Sequence, residues 1–451
     1  MSKVYVVVGA GFRGYCDCLQ LLKEPGAKVY IVDRDPHFGG MSHSGTINGF
    51  AVDKGVHMFD GIPKELADHV TEIMEGRVRK IDFVSVSAFN GKLTEGFSLP
   101  DLSSLPVETT TRITQELEAL AASNGAGAKP RNLRELLESR YGKTAGSIFA
   151  DIFRNVYNVD ASDAQPDAIS KTSLGRLKHL NDAPMLALKE SSPFLDSVLA
   201  ARRGAMGKVD DLVSIYPDTG EAMRGWCVRA ERWLEARGVT MCLGENLLSI
   251  QKFGGKLRVV TDKTGIIDAD HVIWTNDNAQ ALATLLGFDF DTRSYQSGTP
   301  MLFATMVTRR ENIKDFTYLQ NFNQDGITYR TASAGIYSNQ TDAAGNSFVT
   351  SECPAPIGSE RWNNFADIHG AIWQECKDLG IVSLDAKLSS HSVLRLPSTF
   401  KVAKLGYDEK IAEFQRELTV RAPKLVFRDP KPFFRRDIYL DSFKLQALLE
   451  A

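Results

Sequence analysis

The chain has 451 residues, 43% of them hydrophobic and 24% charged, the mix of a folded globular protein with room for about three domain-sized units. That composition excludes a disordered chain, a collagen-like fibre and a small disulfide scaffold. The 53 basic and 56 acidic residues leave a formal charge of -3, which offers no general attraction for nucleic acid or an anionic membrane.

The apolar run from Val4 to Ala10 follows Lys3 and could be mistaken for a signal peptide. Arg13 and Asp17 interrupt it, no small-residue cleavage site follows, and no apolar stretch approaches the ~20 residues needed to span a bilayer. The six cysteines (Cys16, Cys18, Cys227, Cys242, Cys353 and Cys376) show no C-x-x-C spacing, so reduced thiols, no metal site and a cytoplasmic location are the expectations.

Val4 to Val8 is a β-branched run of the kind that forms a strand covered on both faces. It leads directly into Gly9-Ala10-Gly11-Phe12-Arg13-Gly14, a G-x-G-x-x-G pattern. A helix should follow and stop at Pro25-Gly26, and Lys28 to Val32 should be a second strand with Asp33 at its end. Gly9 permits the tight turn, Gly11 lets a pyrophosphate approach the backbone, and Gly14 lets helix and strand pack closely. The helix N-terminus offers free N–H groups to the pyrophosphate, and Asp33 can accept hydrogen bonds from a ribose diol. Strand, glycines, helix, strand and acid arrive in the order a dinucleotide-binding unit requires.

Arg34 comes next, then Gly39-Gly40-Met41-Ser42, then Gly49-Phe50-Ala51-Val52-Asp53-Lys54-Gly55-Val56-His57-Met58-Phe59. This succession resembles the flavoprotein superfamily that contains the amine oxidases, protoporphyrinogen oxidase and UDP-galactopyranose mutase. The resemblance implies FAD rather than a nicotinamide cofactor. It matches Asp33 to the ribose-binding acid, and Arg34, Gly39 and Gly40 to the second flavin-contacting loop. His57 matches a loop histidine that lies close to the isoalloxazine ring in the mutases, and an imidazole there could change charge near neutral pH.

Residues 96–204 are helical in pattern, with amphipathic helices expected at Thr109 to Ala122 and Asn132 to Tyr141. Tyr157 falls where the superfamily carries an aromatic near the substrate. Tyr216-Pro217-Asp218-Thr219-Gly220 precedes a helix with Met223, Trp226 and Trp233. A strand (Val239 to Leu243), a hairpin turning at Gly254-Gly255 and a strand ending at Asn276 follow. By the same resemblance Leu247 falls where backbone reads the adenine, and Thr275 at an edge that covers the cofactor. Met301 to Thr308, Phe316 to Phe322 and Ile327 to Tyr337 read as strands of a substrate sheet. Arg330, and Arg176 on a helix expected from Ala168 to Leu180, fall near arginines the mutases use on a substrate diphosphate. Paired guanidiniums offer planar forks of donors suited to that group.

The superfamily closes on a glycine-rich turn before a last helix. Here the expected strand Lys424 to Phe427 runs into Arg428-Asp429-Pro430-Lys431-Pro432, with no glycine, before a helix expected at Asp441 to Glu450. The expectation is therefore α/β: a Rossmann-like, glutathione-reductase-like FAD-binding domain assembled from segments 1–95, 205–290 and 416–451, with a helical insertion at 96–204 and a β-rich substrate region at 291–415. FAD is the expected cofactor and a small molecule, with a nucleotide sugar among the candidates, the expected partner. An FAD-dependent oxidoreductase is the first functional expectation. A mutase acting on a nucleotide sugar and a flavin-binding protein without catalysis are the alternatives. The oligomeric state is left open.

Overall fold

The computed structural model describes residues 2–123, 128–201, 212–428 and 430–450. Its nucleotide-binding layer is a five-stranded parallel sheet in the order Thr240–Leu243, Lys28–Asp33, Val4–Val8, His271–Trp274, Leu425–Phe427. Val4–Val8 lies at the centre, and Tyr5, Val6 and Val7 are fully buried, which is why its sequence is apolar without alternation. The helix Phe12–Leu21 packs back against this strand. Three antiparallel strands, Leu247–Phe253, Lys256–Thr261 and Ile266–Ala269, cover the sheet's other face. Their first hairpin turns at Gly254 and Gly255, with φ of 54° and 79°, the left-handed pair that a tight two-residue turn demands.

A seven-stranded sheet forms the second body, in the order Ser390–Leu396, Met301–Arg309, Asn346–Pro354, Arg330–Ala332, Tyr318–Asn321, Ser85–Phe89, Lys92–Glu95. Residues 85–95, grouped by sequence with the first segment, thus pair into this sheet, where Ser87 stands opposite Gln320. The run from Ile327 to Tyr337 is one short strand, Arg330–Ala332, and a turn of helix, Ala334–Tyr337, rather than a continuous strand.

The insertion is helical, as Val107–Ala122 and Leu133–Tyr157. The second of these is interrupted at Gly142 (φ 80°), where a Cβ would lie 2.4 Å from the Glu116 carboxylate. Its own apolar cluster gathers Leu117, Leu137, Phe149, Phe153 and Leu177. The helix expected over Ala168 to Leu180 is instead a short 3-10 turn, Pro166–Lys171, followed by irregular chain. Pro166 starts it and Gly175 disfavours its continuation. The proposed boundary at 204/205 lies outside the described residues. The C-terminal strand Leu425–Phe427 is followed by two helices, Arg435–Ser442 and Leu445–Glu450. Among the described residues, no helix is long and apolar enough to cross a membrane.

Candidate functional site

The site begins where Val4–Val8 ends. Gly9 turns the chain with φ +114° and donates to the Val32 carbonyl at 2.9 Å. A Cβ at Gly14 would stand 2.0 Å from the Gly9 carbonyl oxygen, so helix and turn touch through bare backbone. Thr275 closes the same turn: its hydroxyl donates to the Val8 carbonyl at 2.9 Å, and a Cβ at Gly9 would meet Thr275 Oγ1 at 2.3 Å. Gly11 differs. Its backbone is extended, and a Cβ there would meet no protein atom within 4 Å. This glycine presents an open face at the start of the helix.

The second loop docks on the first. Gly39 N–H donates to the Ala10 carbonyl at 2.8 Å, and Gly39 bridges Gly11 in parallel. Gly40 lies so close that its Cβ would be 3.3 Å from the Gly11 Cα. Asp33 holds the junction, accepting from Ala10 N–H at 2.7 Å and Asp35 N–H at 2.9 Å. Its carbonyl accepts from Glu245 N–H at 3.0 Å, which brings the half-buried Leu247 to the same edge. Arg34 is exposed. Gly9, Gly11, Gly14, Asp33, Gly39, Gly40, Leu247 and Thr275 therefore converge on one edge of the parallel sheet.

His57 lies on the loop after Gly55, which has φ +128°. That φ is what calls for glycine, since a Cβ there would make only ordinary contacts, 3.5 Å to His57 Nε2 and 3.6 Å to Glu352 Oε1, where the loop lies against the seven-stranded sheet. Burial and the guanidiniums of Arg435 and Arg330 push the imidazole down to about 3. That shift favours the neutral imidazole near pH 7, against the expectation that it changes charge there. Arg330 donates from Nε at 2.8 Å and from Nη2 at 2.6 Å to Glu352 Oε1. Burial opposes its charge, but Glu352 together with Tyr329 and Tyr318 outweighs burial and raises its pKa. Around this pair, Gln320 donates to the Tyr329 hydroxyl at 3.0 Å and accepts from Ser173 at 2.8 Å. Tyr157, its hydroxyl on the Lys171 carbonyl at 3.2 Å, faces Tyr329 at 6.5 Å between ring centres.

Arg176 does not form a matched pair with Arg330. It is exposed, and its Nη1 donates to the carbonyls of Asp196 and Leu199, both at 2.8 Å, at the end of the short helix Pro193–Val198.

Three features were not read from the sequence. Asp53, buried, accepts from Ser44 and Tyr216 hydroxyls and, at 3.3 Å, from Met223 N–H, tying the second loop to a distant helix. Burial raises its carboxyl to about 6 against those hydrogen bonds. Its place in the G-F-x-x-D run was the available signal. Arg428, 2% exposed, follows the last strand and stands 3.3 Å from Asp17 and 2.9 Å from Asp441. Arg435 opens the helix Arg435–Ser442 and reaches Ser42 Oγ at 2.9 Å and the Met58 carbonyl at 3.1 Å. No local motif announces either arginine. Among the described residues, no group of His, Cys, Asp and Glu is placed to hold a metal ion.

Residues 7–74 match the model of an NAD(P)-binding Rossmann-like domain. The fold is shared with reduced UDP-galactopyranose mutase, at 15% identity and a TM-score of 0.74 over 100% of this chain and 95% of that one. It is shared too with a CLA-producing fatty acid isomerase from P. acnes (13%, TM-score 0.60, 99% and 98% covered) and with putrescine oxidase bound to putrescine (13%, TM-score 0.60, 100% of both chains). Among curated proteins no sequence matches.

Proposed function

We propose, from a chain that shares its fold with UDP-galactopyranose mutase and putrescine oxidase, that this protein binds FAD non-covalently and is an FAD-dependent oxidoreductase of a small molecule. One observation carries the reading: the Gly39-Gly40 loop is docked on Gly11, beside its open face. A nicotinamide cofactor needs only the first loop. A second backbone loop at the same point suits a longer cofactor that continues past the pyrophosphate toward His57. The residues present fit that group. Gly11 leaves room for phosphate oxygens, the helix Phe12–Leu21 has no side-chain cap and no acid in its first turn, and Asp33 keeps acceptor capacity for a ribose. No cysteine stands in the C-terminal segment 416–451, which supports non-covalent attachment.

When bound, the flavin supplies the hydride acceptor, and the protein's part is to bind, orient and exclude water. His57, neutral, can offer a hydrogen bond without adding a charge beside the ring. Arg330 and Glu352, with Gln320, Tyr329 and Tyr157, supply polar groups to orient a substrate. The mutase alternative asks two guanidiniums to take a diphosphate, and here one is bonded to carbonyls and the other to Glu352. That geometry favours oxidation of a small polar substrate over rearrangement of a nucleotide sugar.

The test is direct. Purified protein should be yellow and release FAD on heating, and a substrate screen should bleach the flavin anaerobically. Protein that binds NAD(H) or NADP(H) and no flavin would overturn the reading. Isomerisation of a UDP-sugar by dithionite-reduced protein, without oxygen uptake, would install the mutase in its place.

A further inference from the structure

We propose that Arg435 is the counter-charge for the diphosphate of the bound dinucleotide, delivered from the C-terminal helix to the junction of the two glycine loops. The assignment rests on the flavin reading for the identity of that dinucleotide. Its own support is independent and lies in what surrounds the guanidinium.

Arg435 meets the three segments that converge on Gly11. It stands 4.9 Å from the ring centre of Phe12, the first residue of the helix after Gly11. It bonds Ser42, two residues beyond Gly40, and the carbonyl of Met58, next to His57. The ring of Phe59 lies 4.9 Å away on a further side. Every one of these partners is neutral. Among the described residues, no carboxylate stands within ion-pair distance of Arg435, whereas its neighbours Arg13 and Arg428 both pair with Asp441 at 2.9 Å. The nearest acid in effect, Asp53, is already engaged by Ser44, Tyr216 and Met223.

A half-buried guanidinium without an anion is costly, and two aromatic faces return only part of that cost. Two of its N–H groups are bonded here, leaving others of the five free to donate. A diphosphate at the open face of Gly11 would supply both the charge and the acceptors, in the bidentate geometry that arginine favours. Burial also holds the guanidinium below its ordinary pKa, so an adjoining anion would secure its charge. The reading explains how a return segment without a glycine turn still serves the cofactor. A side chain reaches where backbone cannot.

The experiment titrates wild type, Arg435→Met and Arg435→Lys, stripped of cofactor, with FAD, ADP and riboflavin, at low and high NaCl. Fold is followed by circular dichroism. FAD and ADP carry the diphosphate; riboflavin does not. Arg435→Met should bind FAD and ADP about tenfold to a hundredfold more weakly, Arg435→Lys should fall between, and riboflavin affinity should not move. Wild-type affinity for FAD should fall with salt, and that for riboflavin should not. Equal FAD affinity in wild type and Arg435→Met would overturn the proposal. So would an equal loss for riboflavin, which would mean that the residue shapes the pocket instead. If Arg435→Met does not fold, the lysine variant and the wild-type salt dependence decide, and identical salt slopes for FAD and riboflavin would sink it. Wild type that ignores FAD but binds ADP through Arg435 would end the flavin reading and leave this one standing.

Discussion

The glycine cradle at the N-terminus and the return segment at the C-terminus both pack on the helix Phe12–Leu21, yet they are built from opposite materials. The cradle is largely backbone: Gly39 N–H donates to the Ala10 carbonyl, Gly39 bridges Gly11 and Gly14 lies against the Gly9 carbonyl, with only Asp33 and Thr275 adding side-chain bonds to the turn. The return is charge. Arg428 and Asp17 are 2% and 0% exposed, and Asp441 joins Arg428 to Arg13. Backbone contact admits a ligand to within touching distance. A buried ion cluster fixes a helix in place at a high desolvation cost, and it is much more sensitive to losing one member than to losing all. The difference predicts different failures at the two ends of one helix.

The largest effect separates two glycines three residues apart. Gly14→Val places carbon against the Gly9 carbonyl and should destabilise the fold by about 4 kcal/mol or more, at the exceptional end for one substitution. Gly11→Val meets no protein atom at its Cβ. It should stay within about 1 kcal/mol of wild type in thermal unfolding while losing its flavin. A folded, yellow Gly14→Val protein would break the cradle half of the comparison, and full flavin content in Gly11→Val would break the placement of the cofactor.

The charged half is tested next. Arg428→Met leaves the buried Asp17 without its ion-pair partner and Asp441 to Arg13 and Lys444, and should cost about 3–5 kcal/mol. Asp17→Asn in the same chain should recover part of that loss, because burial already pushes the Asp17 carboxyl up to about 7 despite Arg428 and Arg13. Denaturant melts of the two single variants and the double variant measure the coupling. Strict additivity would show that the cluster does not act as a unit.

The same contrast explains what was legible in the sequence. The cradle's parts lie close together in the chain, and each residue type there is forced by backbone geometry, so the order of glycines and acid was enough to assemble it. The parallel strands were legible because both faces are covered and the runs are uniformly apolar. The return cluster was not, since Asp17 and Arg428 meet only through the tertiary fold and neither sits in a motif. Arg176 was misplaced because a helical pattern was continued through Gly175, and residues 85–95 because alternating strands do not announce which sheet they will join. Asp53 stood in view within a recognised run, but its partners Tyr216 and Met223 come from another segment.

Asp53 gives a smaller, pH-dependent effect on the cradle side. Unfolded, its carboxyl titrates near ~3.9; folded, burial raises it to about 6. The native state therefore holds the proton more tightly between those values. The stability this contributes is fully present below about pH 4 and is lost as the pH rises through about 6. Across that window the change is about 3 kcal/mol. Asp53→Asn should flatten this part of the stability profile, whatever it does to absolute stability, because the amide cannot titrate. An unchanged slope in urea melts at pH 4, 5, 6 and 7 would show that Asp53 is ionised throughout.

The smallest effect of a substitution near neutral pH belongs to His57, where the cradle faces the second sheet. Its pKa is pushed down by burial and by Arg435 and Arg330 to about 3, below the ~6.5 of the unfolded chain. The sign is opposite to that of Asp53: its contribution to stability is present above about pH 6.5 and is lost as the pH falls toward 3. Between pH 7 and 8 the imidazole carries no charge, so His57→Gln keeps a neutral hydrogen-bonding side chain and should change stability by less than about 1 kcal/mol. Flavin should stay bound, and turnover should slow by about fivefold if one neutral hydrogen bond to flavin or substrate is weakened. The wild-type pH–rate profile should contain no step near 6.5 that disappears in His57→Gln. Such a step would mean that the imidazole does gain a proton once Glu352 on Arg330 and a diphosphate on Arg435 offset the two guanidiniums, so that burial, the larger cause, does not by itself keep it neutral. Equal rates, spectra and flavin affinity in the two proteins would instead remove His57 from the site and leave it as the residue that seats the Gly55 loop against Glu352.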